Sequence, residues 1–333
     1  QEEYSAKIPA LTLLTSLGWT FLSPKQIMDY RGYKQDEVVL RPVLREELSK
    51  RSFMAGGKTC QLSEKALDNL ISQVCSPALN EGLLKANERM YNHLLYGIAV
   101  TEFVDGKKVN PTIALIDWEH PENNQFHFTE EFTVLRSGGV ETRRPDIVCF
   151  VNGIPLAVIE AKSPAGHSKK GPTIDEGISQ SIRNQLNDEI PQLFVYSQLL
   201  LSINGHDGRY GTCHTPMKFW AAWREEDITD PQMYALRNHP LSTEQIHALF
   251  DHRPSVDLKW YQQLIDGGEL AVSGQDKLLI SLLSPERLLE MTRFFTLFDK
   301  KTGKIVARYQ QVFGIKRLLE RISTRRPDGG REG

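Results

Sequence analysis

Arg144-Pro145-Asp146-Ile147-Val148-Cys149-Phe150-Val151-Asn152-Gly153-Ile154-Pro155-Leu156-Ala157-Val158-Ile159-Glu160-Ala161-Lys162 is the stretch on which the fold of this chain turns. Two apolar, β-rich runs, Ile147 to Val151 and Ile154 to Ile159, flank Asn152-Gly153, a dipeptide preferred in the two-residue turn of a β-hairpin. Pro155 cannot donate a ladder hydrogen bond, so it must face away from a partner or sit at a bulge. A plain two-residue turn sets Asp146 across from Ile159 and diagonal to Glu160. A one-residue bulge near Pro155 sets it directly opposite Glu160. Either way the two carboxylates are neighbours. Glu160 and Lys162 stand two apart and project from one face of their strand. Asp146, Glu160 and Lys162 therefore converge at one end of an apolar hairpin.

Two adjacent carboxylates repel, and burying them uncompensated is costly. A divalent cation answers both problems, and Mg²⁺ favours one or two carboxylates together with water and substrate phosphate. Such a site polarises a phosphodiester and activates water, with Lys162 placed to position that water or to neutralise developing charge. The flanking pairs Arg143-Arg144 and Lys169-Lys170 supply positive charge for a phosphate backbone. The competing reading is a solvated ion pair of little consequence. Against it stands the joint pattern: Pro145-Asp146, a hairpin of suitable length, and an apolar strand ending in Glu-x-Lys.

Outward from the hairpin, residues 1 to about 100 read as mostly helical, with Ile8 to Trp19 and Leu83 to Leu95 as the clearest segments. Phe126, Phe128, Phe132 and Val134 sit at even positions and predict an extended segment with one apolar face. Ile174, Ile178, Ile182 and Leu186 predict a helix whose polar side carries Gln180, Arg183 and Asn184. Leu199 to Ile203 and Phe219 to Trp223 are further strand candidates. The order of helix, strands, helix and strands describes an α/β or α+β domain over residues 1–225. Residues 226–282 read as a helical linker or insertion, in which Ser242 and Gln245 form a capping box. Ser284-Pro285 opens another helix. The last helix, from about Ala307 to Ile322, has a stripe of Val312, Ile315 and Leu319.

With 333 residues, two domains or one and part of another are expected. A formal net charge of −2 leaves no global field toward nucleic acid, so any such contact must come from a local basic patch. The four cysteines and nine histidines show no zinc-ligand spacing. With neither a signal peptide nor a membrane-spanning run, a cytoplasmic protein with reduced thiols is expected. Glu88, on the apolar stripe of the early helix, is a candidate third metal-associated carboxylate. The alternative is a half-exposed glutamate paired with a neighbouring arginine.

Pro145-Asp146 followed by Glu160-Ala161-Lys162 resembles the PD-(D/E)XK nuclease signature. The whole stretch Arg144 to Lys162 is similar to the restriction (R) subunit of type I restriction-modification enzymes. Ile190 to Tyr196, Arg209 to Thr212 and Phe219-Trp220 resemble segments that follow the motif there. Ala307-Arg308-Tyr309-Gln310-Gln311 resembles the element that opens the helicase-like motor. The resemblance implies a restriction-endonuclease-like mixed sheet flanked by helices, then the helical linker, then the start of a RecA-like motor domain over 283–333. It implies Mg²⁺-dependent endonucleolytic cleavage of double-stranded DNA, with Asp146, Glu160 and the Ala161 carbonyl as metal ligands and Lys162 as the catalytic lysine. It also implies modification (methyltransferase) and specificity subunits as partners, and ATP-driven translocation in a longer protein. No Gly-x-x-x-x-Gly-Lys-Ser/Thr loop occurs in this sequence, so ATP hydrolysis is not expected of it. Gln311 is a candidate adenine contact in the longer protein, or a solvated helix glutamine. The family's Gln-x-x-x-Tyr motif falls on Gln180 and Asn184, so the tyrosine is missing while Gln180 keeps a supporting role. The competing function is a noncatalytic docking or allosteric domain coupling the motor to the methyltransferase.

Overall fold

The computed structural model describes residues 2–164 and 174–324. At its centre lies a six-stranded mixed sheet of β1 (Thr20–Phe21), β2 (Phe126–Glu130), β3 (Ile147–Val151), β4 (Ile154–Ala161), β5 (Leu199–Ile203) and β6 (Gly208–Gly211). The strands lie side by side in chain order. β1 pairs parallel to β2 and β4 parallel to β5, while the remaining pairs are antiparallel. Every residue of β3 and β4 is buried, because helices cover both faces. Strands in that position read as continuous apolar runs rather than alternating ones, which is the pattern of this hairpin.

Asn152 and Gly153 form the turn, with φ of 52° and 80°, the doubly positive geometry of a type I′ turn. Asn152 is locked: its amide donates to the Leu115 carbonyl (2.9 Å) and to Asn124 Oδ1 (2.8 Å), and its Oδ1 accepts from the Gln125 N–H (2.8 Å). Gly153 lies so close to the Leu40 carbonyl that a Cβ would stand 2.6 Å from it. The hairpin register shifts between Cys149 and Phe150, with Phe150 opposite Pro155 and Cys149 opposite Ala157. Leu156 is the extra residue. The bulge thus sits beside Pro155, where the missing N–H costs no ladder bond, and β4 begins to pair with β5 only at Ala157.

The labelled helices are α1 (Ile8–Ser16), α2 (Leu83–Tyr96), α3 (Ile174–Asn184), α4 (Asp230–Arg237), α5 (Thr243–Phe250), α6 (Ser255–Asp266), α7 (Gly274–Leu283), α8 (Pro285–Phe294) and α9 (Tyr309–Ser323). α3 packs on β4 and β5, while α1 packs against α4, α5 and α7. The 226–282 segment is therefore folded onto the sheet, and Met233, Leu249, Phe250 and Tyr261 join the same apolar core as the strands. Trp19 Nε1 donates to the Leu283 carbonyl (2.7 Å) and ties the two ends of the chain together. The Ser242–Gln245 capping box is present.

Three expectations need correction. Phe219 to Trp223 is not a strand: Met217–Phe219 forms a 3₁₀ turn, and Ala221 makes a single bridge to Tyr210. Trp220 packs over Gly211 too closely to leave room for a continuing ladder. The Phe126–Val134 run breaks after Glu130, because Glu131 takes a left-handed φ of 54°, although Phe132 and Val134 remain buried. In α9 only the first turn is buried, through Val312 and Phe313, whereas Ile315 and Leu319 face outward. A hairpin of Thr296–Asp299 and Gly303–Val306, not foreseen from the sequence, docks against α2. Among the described residues, no helix is long and apolar enough to cross a membrane.

Candidate active site

The bulge in the hairpin has a direct consequence. Continuing the register from Ile147 opposite Ile159 carries Asp146 opposite Glu160. Asp146 Oδ2 accepts a hydrogen bond from the Ala161 N–H (2.8 Å), which pins it across the strand end. Lys162 Nζ lies 3.6 Å from the same oxygen and donates to the Ala161 carbonyl (2.8 Å). The three residues singled out by their spacing are thus joined in one cluster.

Glu160 is fully buried. Burial first, and the charge of Asp146 second, push its carboxyl well above the usual carboxylate range, with Lys162 opposing. The carboxylate is held by α3: Gln180 Nε2 donates to Oε2 (2.7 Å) and Asn184 Nδ2 lies 3.5 Å from Oε1. Gly177 permits this approach, since a Cβ there would meet Ser202 Oγ at 2.3 Å and Glu160 Cβ at 3.4 Å. The position at which the resemblance expects a tyrosine, Asn184, is therefore occupied by an amide that faces the same carboxylate.

Glu2 was missed from the sequence. It stands one residue before a π-helical turn, Glu3–Lys7, that leads into α1. Burial raises its carboxyl above the ordinary value, while Lys162 lowers it and Asp146 raises it further. Those influences bring Glu2 within electrostatic reach of Asp146 and Lys162. No short-range signal marks it, because Glu2 and Asp146 are brought together only by the sheet and α1.

Glu88 lies on α2 and pairs with Lys85 (2.9 Å) rather than with the cluster, so it takes the half-exposed helix role, with a lysine in place of the expected arginine. Arg143 is engaged by Glu189, through Nη2 to Oε1 (2.9 Å) and Nε to Oε2 (2.6 Å). Arg144 is exposed and pairs with Glu131 (2.5 Å). Lys169 and Lys170 lie outside the described residues. Gln311 serves its own helix, accepting from the Arg308 N–H (2.8 Å). It also lines a cavity of about 590 Å³ with Arg308, His214, Phe219 and Lys304.

The donor set fits a hard cation. Two carboxylates at opposed positions, one of them buried with its charge destabilised, and an adjacent carbonyl are the oxygens such an ion takes. Among the described residues, no three or more histidine, cysteine, aspartate or glutamate side chains are grouped so as to hold a metal ion, so the protein itself offers two carboxylates and a carbonyl. An ion there would keep water and substrate ligands, as Mg²⁺ does.

Comparison with known proteins identifies the family of the chain. Residues 1–219 match the model of the type I restriction enzyme R protein N terminus. The chain is 28% identical over 324 residues to the type I restriction enzyme HindI endonuclease subunit of Haemophilus influenzae, covering 94% of this chain and 26% of that protein. It is 25% identical over 335 residues to the putative type I restriction enzyme MjaIXP endonuclease subunit of Methanocaldococcus jannaschii, covering 96% of this chain and 28% of that one. A second protein of that organism, the putative MjaVIIP endonuclease subunit, is 29% identical over 239 residues, covering 69% of this chain and 18% of its own length. The chain thus spans about a quarter of the length of the first two relatives. With the matched model extending over well more than half of its residues, this chain belongs to the family of type I restriction enzyme R protein N-terminal regions.

Proposed function

We propose that this chain carries the Mg²⁺-dependent endonuclease site with which a type I restriction subunit cuts double-stranded DNA. The observation that carries the reading is Glu160: a fully buried carboxylate opposed to Asp146 and braced by Gln180, with Lys162 alongside. A buried like-charge pair is a cost that a purely structural strand end has no reason to bear. Asp146, Glu160 and the Ala161 carbonyl hold the metal, with Glu2 within electrostatic reach. Bound there, Mg²⁺ supplies Lewis-acid activation of the scissile phosphodiester and of water. Lys162 Nζ positions the attacking water or offsets charge developing on the phosphoryl oxygens. Gln180 keeps the Glu160 carboxylate turned toward the metal, as partners of metal ligands commonly do.

The relatives are named endonuclease subunits of type I restriction enzymes, which supports assembly with other subunits. Modification and specificity subunits as those partners, and ATP-driven translocation in a longer protein, follow from the family resemblance. In that setting Gln311, at the edge of the cavity, is the candidate adenine contact, and it would have to release the Arg308 N–H to serve as one. Arg143 and Arg144, already paired with Glu189 and Glu131, reach DNA phosphates by exchanging those partners. The test is cleavage of duplex DNA by the assembled restriction complex with Mg²⁺, wild type against Lys162→Ala. Loss of cutting with translocation retained is expected. Undiminished cutting assigns the chain to a docking role instead.

A further inference from the structure

The π-helical turn and the strand end that flank the candidate site are joined by a buried charge cluster reaching outside the sheet. Glu130 closes β2 opposite Ile147, one residue from Asp146. Directly after it, the left-handed Glu131 donates its N–H to the Asp146 carbonyl (2.9 Å), and Phe132 donates to the Pro145 carbonyl (3.1 Å). The backbone of Asp146 is thus set by the 130–132 turn. Lys7 Nζ holds that turn to the N-terminal one, bonding Glu131 (2.5 Å) and Glu3 (2.8 Å) and lying 3.6 Å from Glu130.

The remaining member comes from elsewhere in the chain. Arg253, in the turn between α5 and α6, donates to Glu130 and to Glu3 and lies 3.3 Å from Asp257. Its side chain, like those of Glu130 and Asp257, is less than a tenth exposed, at 7%, 3% and 7%. His252 meets the second Glu130 oxygen (2.8 Å) while its ring stacks on Phe21 with centroids 5.4 Å apart. Tyr4, on the π-helical turn, donates to Asp257 (2.8 Å). Four carboxylates, those of Glu3, Glu130, Glu131 and Asp257, are gathered here; Lys7 and Arg253 lie between them, and Arg144 pairs with Glu131 at the rim. Without Arg253, the buried Glu130 and Asp257 lose their shared cation, and Glu130 keeps only Lys7 at 3.6 Å and His252.

We propose that Arg253 is a positioning residue for the candidate metal site, clamping the N-terminal turn to the strand end whose 130–132 turn sets the backbone of Asp146. The Asp146 backbone is held by hydrogen bonds from the 130–132 turn, so the site depends on the segment between α5 and α6 that anchors that turn. This rests on the metal-site reading above.

The test is Mn²⁺ binding to the full chain, followed by the loss of the free-ion EPR signal. Wild type binds, and Asp146→Asn removes binding. Arg253→Met, with a cooperative thermal transition retained, weakens binding by about tenfold, the size usual for loss of a residue that orients metal ligands. Arg253→Lys, which restores the charge without the fork, recovers most of that loss. Equal affinities in wild type and Asp146→Asn overturn the metal-site reading and this one with it. Normal binding in Arg253→Met, or equally weak binding in Arg253→Lys, overturns the clamp alone. Should Arg253→Met lose its cooperative transition, Glu3→Gln at the rim of the cluster decides: weakened binding supports the clamp and unchanged binding overturns it.

Discussion

Replacing Glu160 by glutamine removes a charge from the most buried point of the site while keeping its shape. The side chain is fully buried, so it has no solvent to relax into. Glutamine still accepts from the Gln180 amide, now 2.7 Å away, and gains an amide that can donate toward Asp146. Removing a charge disfavoured by burial and by Asp146 recovers about 1.4 kcal/mol for each pH unit by which the carboxyl is raised, against about 1 kcal/mol for a weakened charge-assisted hydrogen bond. A net gain of about 2 kcal/mol is expected for the metal-free chain, which for 333 residues is a rise in melting temperature of roughly 3 °C. The sign with pH follows from the direction of the shift. A carboxyl raised by burial and by Asp146 binds its proton more tightly when folded, so the wild type loses stability as pH climbs above the ordinary carboxylate range. Glu160→Gln lacks that loss, so the two proteins converge in acid and separate toward neutral pH. Mg²⁺ reverses the order: at 100 times its dissociation constant it adds about 2.7 kcal/mol to wild type and much less to the variant. Thermal melts in chelator and in Mg²⁺, across pH, read all of this. A variant less stable than wild type at neutral pH in chelator, or equal Mg²⁺ stabilisation of both, would refute the reasoning.

Gln180→Ala frees the Glu160 carboxylate and should weaken metal binding by about 10–100-fold, measured by calorimetry, with little change in melting temperature. Gly177→Ala drives a methyl to 2.3 Å from Ser202 Oγ and should cost about 1–3 kcal/mol in urea unfolding. Adding Ser202→Ala removes the clashing atom, so the pair should be markedly less unstable than the single change. Lys304 is buried against the Ser197 carbonyl and Gln198, and burial lowers its pKa to about 8. Its neutral form is the one the fold prefers, so its contribution grows as pH rises from about 8 toward the unfolded value, by on the order of 3 kcal/mol. The stability difference between wild type and Lys304→Met should follow that window, and a difference independent of pH there would count against it.

The hairpin was legible because each of its determinants is local. Asn152-Gly153 encodes the turn through positive φ, and Pro155 announces the bulge by its missing donor. Two-residue periodicity then carries Glu160 and Lys162 to one face. The helix that braces Glu160 was equally visible in its four-residue apolar spacing, which left Gln180 and Asn184 on the side that turns out to meet the carboxylate. Phe219 to Trp223 misled because aromatic content signals burial as readily as strand, and here Trp220 fills space over Gly211. The stripe of α9 was real as a pattern, but a stripe does not say whether a surface meets it, and Ile315 and Leu319 are exposed.

By itself, then, the sequence determined the hairpin, its turn and the meeting of Asp146, Glu160 and Lys162, since all of these follow from backbone geometry over fewer than twenty residues. Only the tertiary structure decided that Glu2 comes within electrostatic reach of them, that Glu88 pairs with Lys85 instead, and that Arg253 reaches across from the helical segment to Glu3 and Glu130. Those placements depend on contacts between residues more than a hundred positions apart. Their energies come from desolvation and charge pairing, and these exist only after the sheet and its helices have closed around them.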